Sequence, residues 1–176
     1  MLKIRNLFVL VFLLSIFTGC SVKYDDVNLE KKDYQDEEVK NLTKKILSIS
    51  KKIDEKEAKE LSYDAITYSK YLANEYELVS PPLFHNFLVN YNMKEKGLCH
   101  HFAKDLLAYL NRKNYKSFKL TRIVAERQEY FEHNGILLTP KGIGFQDSLV
   151  LDAWRDSGKL FWVEVKNDDK YKWELK

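Results

Sequence analysis

Three side chains in the second half of the chain are of the types a thiol-based acyl transfer needs. Cys99 opens an amphipathic helical stretch, His133 lies in a strand-like run and Asp152 ends the apolar run Leu149-Val150-Leu151. A cysteine attacks as its thiolate, and the first turn of a helix beside an imidazole favours that form. A carboxylate can then hold the imidazole in the tautomer that takes the proton. The unpaired N–H groups and positive dipole end of the helix also suit an oxyanion formed during acyl transfer. The ordinary fate of a cysteine is burial as a small apolar residue, which gains nothing from this position. Gly135, two residues after His133, removes bulk beside the imidazole, for close packing or for substrate access. Asp152 falls on the side of Val150 and Trp154, where a carboxylate is costly unless hydrogen-bonded. The sequence assigns no side-chain oxyanion donor; Asn92, ahead of the helix, is a guess for it.

Other chemistries fit less well. Cys99, His100, His101, His85 and His133 include potential metal ligands, but adjacent residues such as Cys99 and His100 point about 100° apart on a helix, and zinc sites favour spacings that return ligands to one face. No metal and no other cofactor is therefore expected. A redox thiol at Cys99 has no neighbouring second cysteine to pair with. The formal net charge of +3 in 176 residues gives no reason to expect a nucleic-acid partner.

The surrounding elements read as an α+β fold in which N-terminal helices precede a nucleophile-bearing helix packed on an antiparallel β-sheet. Val39, Leu42, Ile46, Ile49 and Ile53 recur at helical spacing after Asp36. Asp54 with Glu57 suggests a capping box for a second helix with the stripe Ala58, Leu61, Ala65, Tyr68 and Leu72. Ser80-Pro81-Pro82 predicts another helix start, with Ser80 as N-cap and Pro81 in the first turn. Gly97 precedes a helix over roughly 98–112 whose inner face carries Cys99, Ala103, Leu106 and Leu110. Beyond Asn114 the pattern changes to strands around Phe118–Val124, Phe131–Leu138, Leu149–Trp154 and Leu160–Lys166, with Asp156-Ser157-Gly158 as a hairpin turn and a further edge strand within 170–176.

The N-terminus points to export. Lys3 and Arg5 precede the apolar stretch Leu7–Phe17, too short to span a bilayer, and Phe17-Thr18-Gly19-Cys20 follows. This resembles a bacterial lipoprotein signal, which implies removal of residues 1–19 and palmitate-type acylation of Cys20 as the new N-terminus. Several acyl chains on one residue give lasting membrane attachment. Cys99 would then be the one free thiol, and an exported protein must either bury or use such a group. Residues 20–35, polar and without periodicity, are expected as the lipidated end and a flexible tether, followed by a helical segment at 36–92 and a core at 93–176. Losing Lys3 and Arg5 takes the 29 basic and 26 acidic residues to 27 and 26, a net charge of about +1. With 45% apolar and 14% aromatic residues, one buried core is the expectation.

Three stretches carry a second resemblance: Gly97-Leu98-Cys99-His100-His101-Phe102-Ala103, His133-Asn134-Gly135-Ile136-Leu137-Leu138 and Val150-Leu151-Asp152-Ala153-Trp154-Arg155. Together they are similar to the core of bacterial transglutaminase-like cysteine proteins, a papain-like superfamily, over about residues 93–166. The resemblance implies a helix-borne nucleophile at Cys99, a general base at His133 and an orienting carboxylate at Asp152. It further implies an envelope lipoprotein acting on amide bonds of a peptide, protein or peptidoglycan substrate, at the periplasmic face of an outer membrane where the cell has one, because Ser21 carries no retention charge. The alternative is a catalytically inactive module of the same type that serves binding or assembly.

Overall fold

The computed structural model describes residues 20–129 and 131–176. The signal-like residues 1–19 lie outside the described residues. The described residues form a mixed α+β protein with four helices and an antiparallel sheet, and among them no helix is long and apolar enough to cross a membrane.

Local capping chemistry sets the first two helices. Asp36 accepts a hydrogen bond from the Val39 N–H at 3.0 Å and starts α1, Glu37–Ile49. Asp54 accepts from the Glu57 N–H at 2.9 Å and starts α2, Glu55–Glu75. The reciprocal half of the expected capping box does not form. The Glu57 carboxylate accepts instead from the Lys116 and Ser117 N–H groups, both at 2.7 Å, and the Asp54 N–H donates to Ser117 Oγ at 2.9 Å. These bonds tie the head of α2 to the entrance of the sheet.

Ser80 is not a helix cap. It belongs to the two-residue strand β2, Val79–Ser80, which pairs antiparallel with β1, Cys20–Ser21, so its backbone is already engaged. Pro81 takes the N-cap position of α3, Pro82–Asn90. The helix that begins at Cys99, α4, runs Cys99–Asn111.

The sheet has the order β6-β5-β4-β3-β7 with every neighbouring pair antiparallel. Its strands are β3 (Phe118–Ala125), β4 (His133–Pro140), β5 (Leu149–Asp156), β6 (Lys159–Glu164) and β7 (Trp173–Leu175). Between β5 and β6, Ser157 (φ 54°) and Gly158 (φ 95°) both lie in the left-handed region while Asp156 pairs with Lys159, which makes the two-residue hairpin. The expected C-terminal edge strand forms, on β3. Strand β4 starts at His133 and not at Phe131, whose ring stays outside.

Period-two alternation divides the strand residues between two cores. Ile136, Leu138, Leu149 and Leu151 pack with Phe102, Leu106 and Leu110 of α4, and the same core continues through Leu61, Ala65 and Leu72 of α2 to Val39, Leu42 and Ile46 of α1. The opposite face holds only a small cluster built on Ile123, Leu137, Val150 and Trp173. Helices therefore cover one face, and the ends of β4 and β5 stay close to an aromatic edge.

Residues 20–35 are a packed strap, not the tether their composition suggests. The Val22 N–H donates to Leu78 O at 2.8 Å, Tyr24 exchanges bonds of 2.9 and 2.8 Å with the Asn74 side chain, and the Tyr63 hydroxyl donates to Asn28 O and Lys31 O. A ring contact between Tyr34 and Tyr63 closes the strap against α2. The physical reason is that backbone groups and tyrosines hold it, and these leave no apolar periodicity to read.

Candidate active site

The turn ahead of α4 is built to present Cys99. Gly97 sits at φ 126°, and a Cβ there would lie 2.1 Å from the His85 ring, so only glycine lets the chain pass. The fully buried His85 holds this turn: its Nε2–H donates to Lys96 O at 2.8 Å while Nδ1 accepts from the Val79 N–H at 3.1 Å. Burial pushes its pKa down, in keeping with that neutral ring. His101 caps the helix from its first turn, Nδ1 accepting from the Gly97 and Leu98 N–H groups at 3.2 Å each. Burial first, then the charges of His100 and Lys96, bring its pKa down to about 4, so it remains an acceptor at neutral pH. His100 faces Arg122, Lys176 and Glu132, and burial followed by the two cations lowers its pKa.

Cys99 is 9% exposed, and its Sγ donates to Glu132 O at 3.6 Å. His133, the first residue of β4, lines the same cleft as that thiol and is influenced electrostatically by it. Its Nε2 is 2.7 Å from Asp152 Oδ2, which leaves Nδ1 as the nitrogen available to sulfur. The structure thus brings Cys99, His133 and Asp152 together. Cys20 is no part of this cluster; it is exposed at the start of β1, and both cysteines are free.

Electrostatics favour a charged His133 beside an ionised Asp152. Burial, the largest influence on His133, opposes its charge, yet the hydrogen bonds and negative charges of Asp152 and Cys99 outweigh it and lift the pKa to about 9. Asp152 is 1% exposed. Burial alone would raise its pKa, but His133 and Arg155 hold it below the ordinary carboxylate value. Every carboxylate lone-pair direction is used: Oδ1 accepts from the Trp154 and Arg155 N–H groups at 3.0 and 3.1 Å, and Oδ2 accepts from Arg155 Nε at 3.0 Å besides His133.

Behind this trio stands a second layer that sequence spacing did not reveal. Arg155 forks onto Asp168 at 3.2 and 2.7 Å, and the Trp173 indole N–H donates to Asp168 at 2.8 Å. Tyr171 stacks on the His133 ring at 4.2 Å, with Trp154 and Trp173 at 5.1 and 5.4 Å. These aromatic walls limit how far the imidazole can turn. Gly135 serves packing, since a Cβ there would meet the Trp173 ring at 3.1 Å.

Asn92 is exposed beyond the end of α3 and does not line the site. The amide beside the sulfur belongs to Asn134, 3% exposed, whose Nδ2 lies 3.9 Å from Cys99 Sγ. Its orientation is set from the other end, where Oδ1 accepts from Arg122 Nε at 3.0 Å and from Lys176 Nζ at 3.3 Å. The signal was present in the alternation of β4: the residue after His133 must face the α4 side.

The thiol and imidazole open onto a cleft of about 810 Å³, walled on one side by Leu83, Phe87 and Tyr91 from α3 and its end and on the other by Phe131, Trp154 and Tyr171. Such a space holds a short peptide segment. Among the described residues, no group of three or more His, Cys, Asp and Glu side chains is arranged to hold a metal ion. A nucleophile, a base and an orienting acid beside an amide donor suit acyl transfer. No family model, curated protein or solved structure matches the chain.

Proposed function

We propose that this protein is a membrane-anchored acyl-transfer enzyme of the transglutaminase-like, papain-like type, held at the cell envelope through an acylated Cys20 and acting on amide bonds of peptides, proteins or peptidoglycan. The periplasmic face of the outer membrane is its place in a cell that has one. The observation that carries the reading is an imidazole held at 2.7 Å by a buried carboxylate while its other nitrogen is left to a thiol at a helix N-terminus.

The chemistry follows from that arrangement. The Cys99 thiolate attacks the substrate carbonyl carbon, a C–S bond forms, and the carbonyl oxygen takes the negative charge beside the α4 N–H groups and the Asn134 amide. Collapse breaks the C–N bond, and the His133 imidazolium gives its proton to the departing amine. Neutral His133 then takes a proton from water or an amine as that nucleophile attacks the thioester, and loss of the acyl product restores the thiolate and imidazolium. Asp152 keeps Nε2–H engaged throughout, so Nδ1 is the nitrogen that exchanges protons with the reacting groups. Hydrolysis and transfer to an amine share this path and differ only in the second nucleophile.

The test is the iodoacetamide labelling rate of Cys99, read by mass of its own peptide so that Cys20 does not enter. The expected result is labelling faster than a free cysteine at neutral pH, slowed at least about tenfold in His133→Ala. A rate no faster than free cysteine, unchanged in that variant, would contradict the proposal. The exposed apolar rim of the cleft favours a second reading, a catalytically silent binding module, which predicts that unreactive outcome.

A further inference from the structure

Large apolar side chains left in solvent among the described residues are few and unevenly placed. Among the described residues, Leu83 (64% exposed), Phe87 (42%) and Tyr91 (67%) are spaced four apart along one side of α3 and its end, Met93 (55%) follows them, Phe131 (71%) stands across the cleft, and Leu175 (57%) alone lies elsewhere. Scattered apolar residues need no explanation, whereas a row of them beside a cleft does.

The register of β1 supplies an independent observation. Cys20 pairs with Ser80 and Ser21 with Val79, so of the two β1 residues Cys20 is the one nearer α3. Paired Cα atoms are about 5 Å apart and three residues extend at most about 11 Å, which puts Leu83 within about 16 Å of Cys20. Phe87 and Tyr91 follow at steps of about 6 Å along the helix. The apolar stretch Leu7–Phe17 ends just before Cys20 in the sequence. On the anchoring proposed above, the chain would meet the bilayer beside α3, whether that stretch is kept or exchanged for acyl chains. Because residues 20–35 are strapped against α2, no free length separates this point from the domain.

We infer that the row Leu83, Phe87 and Tyr91 seats on the lipid bilayer next to the Cys20 anchor, so that the Cys99 cleft opens at the boundary of lipid and water and receives substrates lying at the membrane surface. The inference rests on the anchoring proposed above and is independent of catalysis. Partial burial of a helix face at the headgroup boundary is the expected mode of such an element.

The experiment uses the full chain acylated at Cys20, with Cys99→Ser and one new cysteine carrying an environment-sensitive fluorophore, on vesicles of phosphatidylethanolamine and phosphatidylglycerol. Labels at Phe87→Cys and, as a second variant, Leu83→Cys should shift to the blue and be quenched by spin-labelled lipid about threefold more than a label at the exposed position Lys119→Cys on β3. If both α3 labels match the Lys119 position while the protein floats with the vesicles, docking is overturned and anchoring stands. Failure to float overturns the anchoring and the inference with it. Neither outcome bears on the reactivity of Cys99, which the labelling rate decides separately.

Discussion

Two aspartates in this molecule are each about 1% exposed, yet they sit in regions with different chemistry. Asp64, on α2, is surrounded by the Tyr115 hydroxyl at 3.1 Å, the Tyr109 hydroxyl at 3.5 Å and the ammonium groups of Lys32 and Lys113 at 3.4 and 3.6 Å. Together these partners fasten the strap and the end of α4 to α2. Asp152 instead holds an imidazole that shares an open cleft with a thiol. A buried charge becomes a candidate for chemistry when its partner titrates and faces a cavity, not because it is buried.

Deleting each carboxylate should separate the two regions most clearly. Asp152→Ala leaves His133 buried without its acceptor and Arg155 with Asp168 alone, and is expected to cost about 3–5 kcal/mol in urea unfolding while also slowing Cys99 alkylation. Asp64→Ala should cost less, about 1–3 kcal/mol, because Lys32 and Lys113 keep roughly a third of their side-chain surface in water, and the alkylation rate should not change. Equal effects on alkylation would erase the distinction.

The pH dependence of stability provides a second separation. His133 has a folded pKa of about 9, above its unfolded value near 6.5, so the stability it contributes is fully present below about pH 6.5 and is lost as pH rises through about 9. That window is worth about 3 kcal/mol. Asp152, lowered in the fold, contributes stability that is present above its unfolded value and is lost as pH falls through the folded one. Urea midpoints should therefore decline between pH 6.5 and 9 in the wild type, stay nearly flat there in Asp152→Asn, and decline as in the wild type in Asp64→Asn.

Much of this difference was legible in the residues and much was not. Caps at Asp36 and Asp54, the stripe of α4 and the hairpin at Ser157-Gly158 act through neighbours a few positions away, so their spacing shows them. Cys99, His133 and Asp152 were readable because each sits at a recognisable place, a helix start, a strand and the end of an apolar run. The strap was not readable, since polar residues held by Asn74, Tyr63 and Leu78 look like a tether until the chain folds. The same holds for Asp168 behind Arg155 and for the Glu57 carboxylate, whose partners are fixed by tertiary approach. His101 as a cap was hidden because histidine is an uncommon residue for that role.

Smaller effects sharpen the picture of the site's supports. Gly97→Ala forces a side chain onto the His85 ring at a left-handed position and should cost about 2–3 kcal/mol in thermal unfolding, with a loss of Cys99 reactivity that no substitution near Asp64 reproduces. Asn134→Ala should slow alkylation by roughly tenfold with little loss of secondary structure, because it removes a donor to sulfur. An unchanged rate would remove Asn134 from the chemistry and leave it a bridge, accepting from Arg122 Nε at 3.0 Å and donating to the Glu132 carboxylate at 3.2 Å.

The most direct test of the claim that Asp152 and Cys99 together keep His133 charged is an NMR titration of the His133 imidazole in the wild type, in Cys99→Ser and in Asp152→Asn. The account predicts a midpoint near pH 9 in the wild type that falls in both variants. A wild-type midpoint at the ordinary histidine value of about 6.5, unmoved by either substitution, would contradict it.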